Sequence, residues 1–148
     1  MLFRSRAGVL DLEVEYTRAR FDGDDPAGDR VPGAIPLVAS AGVNWTLDAG
    51  WFATARVRHF GRYPLIEDDS VRSEGSTVVN LRAGRSFGRW TASVDLLNAL
   101  DSDDNDIDYF YASRLPGEAA GGIDDVHFHP LEPRALRLAL RYDFGGSL

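Results

Sequence analysis

The stretch RALRLALRYDF (134–144) alternates without a break. Leu136, Leu138, Leu140, Tyr142 and Phe144 are large and apolar, and Arg137, Ala139, Arg141 and Asp143 stand between them. A period of two sends successive side chains to opposite faces of an extended strand. The same period runs through 9–21, 36–47, 51–60, 76–87 and 90–98, whereas helical periodicity is hard to find. Apolar positions such as Leu10, Leu12, Val14 and Tyr16 oppose Asp11, Glu13, Glu15 and Thr17. In the middle runs, Val43, Ala55, Leu81 and Val94 oppose Asn44, Arg56, Arg82 and Asp95.

The connections alternate as well. DGDDPAGDRVPG (22–33) and GRYPLIEDDSVRSEG (61–75) are long and rich in Gly, Pro and Asp, whereas Asp48-Ala49-Gly50 and Gly88 make tight turns. A further long segment covers 99–132. The expected fold is all-β: an antiparallel up-and-down meander of about six strands, with short turns at one rim and long loops near 22–35, 61–75 and 99–132 at the other. Residues 1–8 read as the remnant of a preceding turn or strand, and 145–148 as a short tail.

Trp45, Trp51, Phe87, Trp90, Tyr142 and Phe144 all fall on the apolar face by parity. Each also lies beside a short turn or the chain end, so a meander gathers them at one rim. Amphipathic rings settle at the headgroup level of a membrane, and membrane β-barrels carry such girdles. A soluble sandwich would spread its aromatics through a core.

Composition narrows the alternatives. The net charge of −7 argues against a nucleic-acid partner. The chain has no cysteine, which removes disulfides and thiolate chemistry. Its 16 basic residues are all arginine, a bias that a GC-rich genome accounts for. The opening MLFRSRAGVLDLEVEY lacks the apolar run of a signal peptide, and no stretch approaches the ~20 apolar residues of a membrane-spanning helix. Strands that cross a membrane need only ~10 alternating residues each.

The stretches ARFDGDDPAGDRVPGAIPLVASAGVNW, WFATARVRHFGRYPLIEDDSVRSEGSTVVNLRAGRSFGRWTASVDLLNALDS, NDIDYFYASRLPGE and HFHPLEPRALRLALRYDF resemble the C-terminal end of TonB-dependent outer-membrane receptors, over about residues 9–144. The resemblance implies part of a 22-stranded transmembrane β-barrel whose lumen is closed by an N-terminal plug. It implies active import of a scarce ligand of the siderophore, cobalamin or saccharide class across the outer membrane of a Gram-negative bacterium. No cofactor is implied. The partners would be outer-membrane lipid, the barrel-assembly machinery, the plug and the remaining strands, with TonB reached only through the plug. In this family the last strand ends in an aromatic and is the assembly signal; Leu136, Leu138, Leu140, Tyr142 and Phe144 match it, and Gly145-Gly146-Ser147-Leu148 departs from it. The plug and most strands are missing from the chain, so by itself it is not expected to transport.

Tyr109, Phe110, Tyr111 and Arg114 are the candidate ligand contacts, because the outer loops of the family help to hold the ligand. The carboxylates of DSDDNDIDYFY (101–111) suit a hard cation, but Asp106 and Tyr109 occupy the positions of the EF-hand glycine, and a solvated loop is the better reading. His127 and His129 would share one side of an extended stretch, yet two imidazoles do not make a structural zinc site. No nucleophile elbow, P-loop, Cys–His pair or HExxH is present, so no enzymatic activity is expected. The sequon Asn44-Trp45-Thr46 lies inside a predicted membrane strand.

Two other readings remain open. A soluble β-sandwich, such as a sugar-binding module, requires a second sheet over the apolar face. An independent small barrel requires two more strands, from residues 1–8 and 99–132, to reach the usual minimum of about eight.

Overall fold

The computed structural model describes residues 2–4, 8–23 and 25–145; the side chains of 2–4, and the tail from Gly146 onward, lie outside the described set. Among the described residues nine strands follow one another: β1 (Leu2–Arg4), β2 (Gly8–Tyr16), β3 (Leu37–Thr46), β4 (Trp51–Phe60), β5 (Ser76–Phe87), β6 (Trp90–Leu97), β7 (Asn105–Ser113), β8 (Ile123–Pro130) and β9 (Ala135–Tyr142). All pairings are antiparallel. One sheet runs β1-β2-β3-β4-β5-β6-β9, and β7-β8 form a separate two-stranded ribbon. The all-β antiparallel meander expected from the sequence is therefore present.

The register keeps the alternation in phase across the sheet. Leu12 lies opposite Ala41, Ala41 opposite Val57, and Val57 opposite Val79. Further along, Leu81 lies opposite Leu96, and Leu96 opposite Leu136. A slip of one residue at any interface would mix charges into the apolar face.

Two expectations need correction. The first long strand was expected to reach Phe21, but β2 stops at Tyr16. Its last ladder bond is the Thr17 N–H donating to the Pro36 carbonyl at 2.9 Å; Pro36 has no N–H to return, so the pairing ends there. The segment 99–132, expected as a loop, instead contains the β7-β8 hairpin. The terminal strand ends at Tyr142, with Phe144 just beyond it.

The short turns are tightly determined. Gly50 sits at φ +78°, and a Cβ there would collide with the Ser86 carbonyl oxygen of β5. Gly50→Ala is expected to cost about 2 kcal/mol, since the left-handed region alone costs ~1–2 kcal/mol for a side-chain-bearing residue. A lowered midpoint in a denaturant titration checks it.

Among the described residues only Tyr63 and Leu65 are buried large apolar side chains, and both lie at the long-loop rim. The sheet's apolar face is bare: Leu138 is 76% exposed, Val14 73% and Leu140 66%. A self-contained globule of 16.3 kDa exposes about 7,500 Å² by size scaling. This chain exposes 10,824 Å². The second sheet that a sandwich requires is not among the described elements, and β7-β8 do not join the main sheet to extend it toward a small barrel.

Candidate functional site

Three features of the sheet are built for contact: an apolar face, a polar face and a cluster of long loops. On the apolar face, Trp51 opposes Arg85, Phe87 opposes Trp90, and Trp90 opposes Tyr142. The ring centroids of Trp90 and Tyr142 are 4.6 Å apart, and Phe144 meets Tyr142 edge-on at 4.8 Å. Trp45, Trp51, Phe87, Trp90 and Phe144 are all exposed. The six aromatics named from the sequence therefore line the short-turn rim. Arg85 breaks the face, at an outward position between Ala83 and Phe87.

The opposite face carries ion pairs that reach across strands. Asp11 of β2 pairs with Arg56 of β4 at 3.1 Å, passing over β3 at Gly42. A Cβ on Gly42 would strike the Asp11 carboxylate. Asp95 has a side chain only 8% exposed and lies between Arg82 at 3.5 Å and Arg137 at 3.1 Å, so one carboxylate ties β5, β6 and β9 together. Phe52 lies over Gly84, with the Arg82 guanidinium 6.0 Å from its ring centroid. Glu15 accepts a bond from Thr17, and Arg58 lies over Phe60 at 5.1 Å. Asp11 and Asp95 thus pair with arginines across strands, whereas no ion pair to Glu13 or Glu15 is found among the described residues.

At the other rim the long loops lock together. Arg30 donates its N–H to Glu67 O at 3.0 Å, and Gly33 donates to Pro64 O at 2.9 Å. Arg20 pairs with Asp29 and holds that carboxyl below the usual carboxylate range. A backbone bond from Ser70 lowers Asp68 in the same way. Asp108 fastens the hairpin to this cluster. Its carboxylate accepts from Asn105 at 2.7 Å and from the Glu74 N–H at 3.3 Å. Its N–H donates to the Tyr63 hydroxyl at 2.9 Å, and that hydroxyl donates to its carbonyl at 3.3 Å. Burial raises the Tyr63 phenol above its ordinary value of 10.0.

Between these loops and β7 lies a cleft of about 440 Å³, whose walls include Ile35, Tyr63, Leu65, Tyr109, Phe110 and Tyr111. Three of the four predicted ligand contacts thus share one cleft. Arg114 does not join them; its Nε donates to Glu118 O in the turn that follows β7. His127 stacks on Tyr111 at 3.9 Å, and His129 lines a separate cleft with Arg58 and Asn98. The acidic run is used locally: Asp101 pairs with Arg134, and Asp104 accepts from the Thr77 N–H. No group of three or more possible metal ligands occurs among the described residues.

Sequence reasoning passed over Tyr63 and Asp108. The available signal was the alternation of NDIDYFYAS and IDDVHFHP around Gly121-Gly122, which marks a hairpin. No family model matches the chain.

Proposed function

We propose that the chain is the C-terminal wall segment of a TonB-dependent outer-membrane receptor, which imports a scarce ligand of the siderophore, cobalamin or saccharide class. The observation that carries this reading is the bare apolar face backed by a polar face of cross-strand ion pairs. Water penalises the first, and an apolar core would penalise the second. A membrane on one side and a hydrated or plugged lumen on the other accommodates both.

The dimensions agree. Outward positions on β5 run from Thr77 to Phe87, ten steps or ~33 Å along a strand. At the ~40° tilt of outer-membrane strands this spans about 25 Å, the height of the apolar band. The main sheet ends at β9 on one side and at β1 on the other, edges that lipid does not tolerate unpaired. In this reading the remaining strands pair with those edges, the plug meets the polar face, and TonB acts through the plug. The assembly machinery recognises the terminal strand through Leu136, Leu138, Leu140, Tyr142 and Phe144. The aromatic cleft at the long-loop rim faces the cell exterior and contributes ligand contacts through Tyr109, Phe110 and Tyr111.

The reading is tested on the chain expressed alone, by extraction with and without detergent followed by size-exclusion chromatography and circular dichroism. Aggregation that only detergent relieves is expected. A compact, β-rich monomer in plain buffer would overturn it.

A further inference from the structure

Arg85 is the one permanently charged side chain on the apolar face of β2–β6 and β9 among the described residues. It stands three residues before Gly88, level with the aromatic rim and directly opposite Trp51. Its Nε donates to the Ala49 carbonyl at 3.1 Å, and its guanidinium carbon is 5.5 Å from the Trp51 ring centroid. These two contacts hold the group beside Trp51 and the 48–50 turn. Neither uses the terminal nitrogens, and among the described residues no carboxylate lies within ion-pair distance.

At the rim of such a face a guanidinium reaches the level where a counter-charge can pair with it. The fork of two terminal nitrogens matches an oxyanion that accepts two parallel bonds. On the wall reading, on which this inference rests, the group lies at the short-turn membrane interface, where phosphodiesters are the available anions. We propose that Arg85, held by Ala49 and Trp51, is a binding site for the phosphate of a phospholipid headgroup, with the acyl chains laid along the apolar face above it. The tail and the headgroup then bind together: Val94, Leu138 and Leu140 offer apolar surface, and Arg85 fixes where the phosphate sits.

The test uses the whole chain, carrying Trp45→Phe and Trp90→Phe, purified in a phosphate-free sugar detergent. Emission from Trp51 is followed while phosphatidylglycerol is added. Digalactosyl diacylglycerol supplies chains without phosphate, and glycerophosphate supplies phosphate without chains. The phospholipid is expected to bind most tightly. Arg85→Gln should weaken it about 10–100-fold, as expected when charge-assisted hydrogen bonds are lost. Arg85→Lys should restore part of the affinity, because it returns the charge without the fork. Equal phospholipid affinity in the parent chain and Arg85→Gln would overturn the proposal, while continued dependence on detergent would leave the wall reading standing. Glycerophosphate binding as tightly as the phospholipid would also overturn it, by making this a free-phosphate site. A chain that stays monomeric without detergent would overturn the wall reading and the proposal together.

Discussion

Ala41→Arg is expected to cost the membrane-folded chain about 2–4 kcal/mol, the penalty for a cation at the middle of a lipid-facing strand. Ala41 lies at mid-strand on the apolar face, between Leu12 and Val57. The same change one residue earlier, Ser40→Arg, should cost less, because Ser40 lies on the polar face between Glu13 and Arg58, where attraction to one offsets repulsion from the other. The decisive comparison is Ala53→Arg. Ala53 is outward-facing but near the aromatic rim, opposite Trp45. In lipid the penalty there falls to about 0–1 kcal/mol, because the guanidinium reaches the headgroups. All three substitutions add an arginine at a small residue, so size does not separate them. Denaturant titrations of the variants folded into short-chain phospholipid vesicles measure the gradient. Similar penalties at Ala41 and Ala53 would instead describe a protein core.

Asp108→Ala is expected to release the β7-β8 hairpin. The substitution leaves the Glu74 N–H and the Asn105 amide without their acceptor, and each of these part-buried bonds contributes about 1 kcal/mol. Limited proteolysis should cut the 99–132 segment at least tenfold faster, while the main sheet stays protected. Tyr63→Phe removes the other half of the clamp and should behave alike. The pH dependence has a definite sign. Burial raises the Tyr63 phenol, so the stability it contributes is complete below its ordinary value of 10.0 and is lost as the pH rises through the higher folded value. The hairpin should therefore loosen at strongly alkaline pH, and Tyr63→Phe should remove that step.

The sheet was legible because each strand presents two chemically different faces, and a period of two is enough to assign them. The aromatic rim was legible for the same reason, with turn lengths supplying the direction. The hairpin was legible only in part, from the alternation on either side of Gly121-Gly122, because its acidic residues read as loop. Asp108 in a strand reads as a loop residue until its partners are known, and those lie 34 and 45 residues away in the chain, at Glu74 and Tyr63. The end of β2 carries a signal of its own: after Tyr16 the alternation reverses phase, with Arg18 and Arg20 falling where Leu12 and Val14 are apolar, and the ladder stops where Pro36, just before β3, has no N–H to return. Arg114 is expected among the ligand contacts as part of the same outer loop, but β7 ends at Ser113 and Arg114 is not among the residues that line the cleft.

The central claim is that the apolar face touches lipid, and lipid can report it. Trp45, Trp51 and Trp90 are the chain's only tryptophans, and all three lie at the short-turn rim. The measurement is their fluorescence in vesicles whose phospholipids carry bromine at a chosen depth. Strong quenching by bromine close to the headgroup, fading as the bromine moves toward the chain ends, is the predicted result. No quenching at any depth, from chain that remains folded and β-rich, would contradict the account.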